Sequence, residues 1–157
     1  MTEPQREDDL QAARVAAVGA IRRRERTVAE LRDWLAARAV GADVIATVIA
    51  ELIEIGELDD ERFAHAFAAD KRELSGWGPG RIEAALVDRG LGRSLSERAA
   101  AEDRDEQLAR ATAQLRPRFE TLADDGARAR ALAFLARRGY DYELAYDAIR
   151  RAGRDAA

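Results

Sequence analysis

Apolar residues recur along this chain at helical spacing, and nowhere do they alternate with period two for long enough to make a strand. Leu10, Val15, Val18 and Ile21 predict a helix over residues 10–24, with Gly19 as a weak point. Thr27 and Glu30 have the spacing of a capping box, in which the hydroxyl accepts from the Glu30 amide and the carboxylate reaches back. The helix it opens turns Leu31, Trp34 and Leu35 inward and runs to about Ala39, before Gly41 breaks it. Val44, Ile45, Val48, Ile49, Leu52 and Ile53 then form a firmly helical stripe, closed by Gly56 just past its end.

Leu58, Asp59, Asp60, Glu61 and Phe63 predict the next helix start. Asp59 is the cap, the following acids complement the positive helix end, and Leu58 staples onto Phe63. Phe63, Phe67 and Leu74 continue its inner face until Ser75, Gly76, Trp77 and Gly78 end it. Pro79 suits the first turn of a further helix, carrying Ile82, Ala85 and Leu86 as far as Gly90. Ser94 and Glu97 read as a second capping box, opening a weaker helix. Leu108, Ala111, Thr112 and Leu115 mark a helix from about Asp105 that Pro117 ends or kinks. Asp124 or Asp125 caps the next, with Leu132, Phe134 and Leu135, up to Gly139. A closing helix from about Asp141 buries Leu144, Ala145, Ala148 and Ile149 and ends at Gly153.

The elements repeat. Leu35-x-x-Arg38-Ala-Val40, Leu86-x-x-Arg89-Gly-Leu91 and Leu135-x-x-Arg138-Gly-Tyr140 superimpose at spacings of 51 and 49 residues. Val44, Leu95 and Leu144 correspond as well, as do Val48, Ala99 and Ala148. The pattern predicts an all-α protein, an elongated array of three tandem three-helix repeats at residues 10–56, 57–102 and 103–153. Residues 1–9 are expected to be a disordered tail, and residues 154–157 a short second one.

Composition narrows the chemistry. Of 157 residues 47% are hydrophobic, but with only four Phe, three Tyr and two Trp the cores must be thin and rich in alanine. Zero cysteines exclude disulfides and thiolate chemistry, and no run is long and apolar enough for a membrane span. The acidic, polar N-terminus does not resemble a secretory signal, so the expected compartment is the cytoplasm. Net charge is −4, yet it is blocked. Residues 21–38 carry six Arg against three acids and 128–154 seven against three, whereas 51–61 hold six acids and no base. Lys71 is the only lysine.

No catalytic constellation emerges. His65 is the single histidine, beside Phe63 and Phe67, which excludes a histidine triad or a multi-histidine metal site. Asp59, Asp60 and Glu61 lack the alternating ligands of a calcium loop and are accounted for as caps. The stretch from Gly76 to Arg81 has glycines at a helix start, but no strand precedes it and no Lys-Ser/Thr follows. It is either an interhelical turn plugged by Trp77 or a contact to a polymer phosphate through Arg81 and free first-turn amides. Arg22, Arg23, Arg24 and Arg26 suit phosphates or an acidic protein surface, or form a solvated helix end. Arg38, Arg89 and Arg138 each close a helix, where a cation favours the negative dipole end, so their first role is structural. No metal or cofactor is implied.

Three stretches in order carry a family resemblance. They are Glu57-Leu-Asp-Asp-Glu-Arg-Phe-Ala64, Gly76-x-Gly-Pro-x-Arg-Ile82 and Leu86-x-x-Arg-Gly-Leu91. Together with Thr27-x-x-Glu-Leu31 followed by Leu35, and with Phe134-Leu-Ala-Arg-Arg-Gly-Tyr140, they resemble the RecX family of recombinase modulators over residues 22–153. The resemblance implies a monomeric, non-enzymatic regulator that binds RecA and its filaments on single-stranded DNA and inhibits recombinase, ATPase and coprotease activity. On that reading the basic patches, Arg22, Arg23, Arg24, Arg26, Arg81, Arg89, Arg128, Arg130, Arg137 and Arg138, are the residues expected to meet the RecA filament or DNA phosphate. The acidic block at 51–61 then faces a basic recombinase surface or solvent. Ala39 departs from the family's glycine in the first repeat, and the negative charge weighs against strong binding to naked DNA. A stand-alone DNA-binding module or transcriptional regulator is the alternative, and a helical adaptor the third reading.

Overall fold

The computed structural model describes residues 1–156. Among them nine helices form: α1 (Glu3–Arg23), α2 (Val28–Ala36), α3 (Ala42–Glu54), α4 (Asp60–Ser75), α5 (Pro79–Asp88), α6 (Arg93–Ala100), α7 (Arg104–Leu115), α8 (Asp125–Arg137) and α9 (Tyr142–Asp155). The all-α class holds, and the helices follow one another as three trios. They gather into two compact units, Met1–Ala64 with Asp88–Leu91, and His65–Val87 with the chain from Gly92 onward.

In the first unit α1, α2 and α3 pack on one another. The face α1 buries is Leu10, Ala13, Ala17 and Ala20, and Val15, expected inside, is 65% exposed. Alanines on the inner face let the α1 backbone lie close to the large side chains of α3. The helix also begins at Glu3 rather than Leu10, because Pro4 suits a first turn and Glu3 complements its positive end. Arg14 clips α1 to α3, its Nε and Nη2 donating to the two Glu51 oxygens at 2.8 and 2.9 Å. The Thr27–Glu30 capping box forms as expected, both of its hydrogen bonds measuring 3.1 Å.

In the second unit α7 and α8 pack on α9, with Phe119 and Phe134 edge to face at 6.2 Å. Asp103, Asp124 and Asp141 cap α7, α8 and α9, and α7 ends at Leu115, two residues before Pro117. Three expectations give way here. The Ser94–Glu97 box is absent, since α6 starts at Arg93 with Gly92 as its cap and Ser94 falls inside the first turn. The buried Ser96 hydroxyl instead donates back to the Gly92 carbonyl at 2.8 Å. Leu74 is 81% exposed, and in that last turn of α4 Arg72 is the side chain that turns inward. Its Nη2 donates to the Ala99, Ala100 and Ala101 carbonyls at 2.9–3.1 Å, and its Nε lies 3.6 Å from the buried Glu102 carboxylate, which Arg110 also holds. The C-terminal tail expected from residue 154 is helical through Asp155, since Gly153 sits inside α9 without breaking it, and Ala157 lies outside the described residues.

One joint occurs twice. The turn after α5 packs on the start of α2, and the turn after α8 packs on the start of α5. In the first, the Thr27 hydroxyl donates to the Arg89 carbonyl at 2.7 Å while still accepting from the Glu30 amide. The Arg89 side chain reaches back to Glu30 through Nε and Nη2, at 3.1 and 3.0 Å. In the second, the Gly78 amide donates to the Arg138 carbonyl at 2.7 Å and the Gly80 amide to the Gly139 carbonyl at 3.0 Å. Arg81 adds a bond to the Arg137 carbonyl at 3.2 Å, and Arg138 donates to the Ser75 carbonyl. Carbonyls orphaned at a helix end thus meet a capping hydroxyl in the first joint and helix-start amides in the second. Gly90 and Gly139 turn left-handed there, at φ +87° and +94°. A Cβ on Gly90 would lie 2.5 Å from that of Ala29, and one on Gly139 would overlap the Arg81 backbone.

Gly139→Ala should therefore lower stability by about 2 kcal/mol or more, measured by denaturant unfolding, through both strain and overlap. A second outcome concerns acid. Burial opposes ionisation of Glu30, but the hydrogen bonds from Arg89 and the Thr27 amide outweigh it and hold the carboxyl below the usual range. A depressed folded-state value contributes stability above the unfolded-state one, and that contribution fades as pH falls through the carboxylate range, from about 5 downward. Glu30→Gln should be less stable at neutral pH yet lose less stability on acidification. Parallel pH curves for the variant and the parent would contradict this.

Candidate functional site

The arginines expected to meet a partner fall into three kinds. Some are committed inside the fold. Arg89 is half-buried in the first joint, against Glu30 and 4.8 Å from the Phe63 ring. Arg128 covers the Leu122 and Ala123 carbonyls at 3.0 and 2.8 Å and pairs with Asp125. Arg138 serves the second joint but keeps one face on Phe134, 4.8 Å from its centroid.

Others lie on a mixed surface. Arg22, Arg23 and Arg24 are exposed at the end of α1, with Arg24 3.5 Å from Glu30. Arg26 is half-buried, donating to the Ala20 carbonyl at 3.3 Å with its guanidinium 5.5 Å from the Trp34 ring. The small hollow beside them, about 160 Å³, also holds Glu25, Glu57 and Asp59, so positive charge is interleaved with negative. Arg130 is exposed on α8. Three of the six acids at 51–61 serve the fold as well. Glu51 binds Arg14, Asp59 caps α4 through the Arg62 amide at 3.0 Å, and Asp60 accepts from the Val28 amide at 2.8 Å.

The third kind converges. The start of α5 and the end of α8 bring Arg81, Arg137 and Arg138 into one open pocket of about 490 Å³, completed by Leu74, Ser75, Trp77, Arg118 and Phe134. Four guanidinium groups line it and no carboxylate does. Aromatic faces hold them apart and outward. Arg81 lies 4.2 Å from the Trp77 ring, where Lys71 also sits at 4.7 Å, and Arg118 lies 4.6 Å from Phe134. Phe67 meets Trp77 edge to face at 6.4 Å and steadies it. Such a pocket suits phosphate or carboxylate groups, which guanidinium forks bind in pairs.

The glycine-rich turn contributes less than expected. Its Gly78 and Gly80 amides are taken by the Arg138 and Gly139 carbonyls, and Pro79 has no N–H, so these first-turn amides are not free for an anion. Tyr140 closes the joint from behind, its hydroxyl donating to the Gly76 carbonyl at 2.8 Å. Burial pushes its phenol above the ordinary value against the pull of Arg110. Arg118 and Lys71 were missed as site residues. Arg118 follows Pro117 in an irregular turn, and nothing in the repeat pattern ties it to Arg81.

These features define a class, an all-helical protein of repeated three-helix domains whose candidate chemistry is a cationic surface. Among the described residues no group of three or more His, Asp or Glu is placed to hold a metal ion, and no helix is long and apolar enough to cross a membrane. Two family models match, RecX, first three-helix domain, over residues 13–52 and RecX, second three-helix domain, over residues 59–99. The chain is 34% identical to the Regulatory protein RecX of Mycobacterium avium, over 94% of this chain and 87% of that protein. It is 33% identical to that of Mycobacterium ulcerans over the same shares. The crystal structure of RecX from Lactobacillus salivarius superposes with a TM-score of 0.84 at 21% identity, covering 93% of this chain and 97% of that one. The chain belongs to the RecX family, whose named members are regulatory proteins.

Adjacent arginines should separate in their effects. Arg138→Ala removes the Ser75 bond and a ring contact and should cost about 1–3 kcal/mol. Arg137→Ala, exposed and outside any side-chain bond of the joint, should stay within roughly 0.5 kcal/mol of the parent in the same thermal unfolding assay.

Proposed function

We propose that this protein binds RecA and its filaments on single-stranded DNA and inhibits recombinase, ATPase and coprotease activity. The observation that carries the reading within this chain is the pocket of Arg81, Arg118, Arg137 and Arg138, lined by four cations and no acid. Family membership supplies the regulatory role, and the pocket supplies a surface for phosphates of the filament's DNA or carboxylates of RecA. The protein acts as a cytoplasmic monomer, in repeats spanning residues 10–56, 57–102 and 103–153. Net charge of −4 disfavours the alternative of a free-standing duplex binder, since nonspecific DNA affinity rests on neutralised phosphates.

Titration of the protein into RecA hydrolysing ATP on single-stranded DNA tests the reading. Inhibition is expected, and the Arg118→Ala/Arg137→Ala variant should need about tenfold more protein for the same effect, roughly 1.4 kcal/mol of lost binding. No inhibition by the parent at saturating amounts would sink the proposal. A gel shift with naked DNA and no RecA addresses the alternative, which requires tight binding that weakens steeply with salt.

A further inference from the structure

The arginine pocket is one end of a longer trough. A second hollow, of about 470 Å³, adjoins it and shares Leu74, Ser75, Arg118, Phe134 and Arg138 with it. Both hollows lie wholly within the second unit. We propose that the trough takes an extended segment of a partner protein, with carboxylates at the arginine end and an apolar side chain over Leu74. On the regulatory reading above, on which this rests, the ligand of the site is then protein carboxylate rather than DNA phosphate.

Charge changes along the trough. In the first hollow four guanidinium groups face no acid. In the second, Arg72 and Arg110 are held by Glu102, whose side chain is only 5% exposed, and Glu73 adds a carboxylate of its own. Ala113, Pro117 and Phe134 supply apolar lining there. Where the two hollows meet, Leu74 stands 81% exposed in the last turn of α4. An aliphatic group in water beside a row of cations is covered by an apolar side chain, not by an anion. A uniform polyanion therefore matches one end of the trough, and a segment that passes from acidic to apolar matches both.

The aromatic rings point the same way. Proteins hold single-stranded nucleic acid by stacking bases on open ring faces as well as by contacting phosphates. Phe134 is 6% exposed and lies under Arg118 and Arg138, at 4.6 and 4.8 Å. Trp77 is half-buried, with Arg81 at 4.2 Å and Lys71 at 4.7 Å over its ring. A base stacking on Trp77 would compete with both cations. The rings serve instead to hold the cations, and a guanidinium stacked on a ring keeps its N–H edge for a carboxylate.

Fluorescence anisotropy with the full chain tests the occupant. The probes are two short labelled peptides, each a run of Asp and Glu around one central residue, leucine in one and serine in the other. The leucine peptide should bind about threefold or more tighter than the serine peptide. Leu74→Ser, whose side chain already lies in solvent, should erase that difference. Arg118→Ala/Arg137→Ala should weaken both peptides about tenfold, with unchanged helical content by circular dichroism. An oligothymidylate of equal charge should bind more weakly than the leucine peptide and should not respond to Leu74→Ser. A parent that binds neither peptide or both equally, a Leu74→Ser chain that still tells them apart, or an oligothymidylate that binds more tightly than the leucine peptide overturns the proposal. The assay contains no RecA and no ATP, so its failure leaves inhibition of RecA standing, and absence of inhibition leaves the peptide result standing.

Discussion

A helix end meeting a helix start is the contact on which the rest of this structure depends. Each end leaves carbonyls unpaired and each start leaves amides unpaired, and burying either alone is unfavourable. Here the turn after α8 meets the Gly78 and Gly80 amides at the start of α5, and the turn after α5 meets the capping hydroxyl of Thr27 at the start of α2. The close approach dictates glycine at positions 90 and 139, and it makes Thr27 do two things, capping α2 and receiving Arg89. It also explains how cores as alanine-rich as these hold, since polar joints supplement a small apolar area.

The same joint determines which cations reach the surface. Repetition made Arg38, Arg89 and Arg138 look equivalent, yet their environments differ. Arg89 is spent on Glu30, Arg138 divides itself between Ser75 and Phe134, and Arg38 folds onto Trp34. The glycine-rich turn before α5, whose amides resembled an anion cradle, feeds the joint instead. What stays turned to the surface is Arg81, which gives the joint one bond, and Arg137 beside Arg118, with Arg81 on Trp77, Arg118 on Phe134 and no acid in their pocket. A negatively charged protein thereby carries a local positive surface, because no carboxylate lines that pocket.

Much of the fold was legible from the chain alone. The stripe of Val44, Ile45, Val48, Ile49 and Leu52, the Thr27–Glu30 box, Pro79 at a helix start and Gly56 at a helix end each state a local rule that the backbone obeys. Errors fell where local rules were silent or in competition. Val15 looked like core because it is large, but the small residues Ala13, Ala17 and Ala20 line the inner face of α1. Leu74 is exposed where Arg72 turns inward, and the bonds of Arg72 to three carbonyls and its ion pair with Glu102 are not revealed by periodicity.

The sequence by itself determined the helices, their caps and their repetition, since these depend on residues a few positions apart. It also marked the family through the order of its turns. Only the tertiary structure decided which arginines are structural and which are free to bind, and it alone brought Arg118 to Arg81 from 37 positions further along the chain. The physical reason is range. A cap or an apolar stripe is set by neighbours along the chain, whereas the availability of a charge depends on which carbonyl, carboxylate or ring the folded chain brings to it.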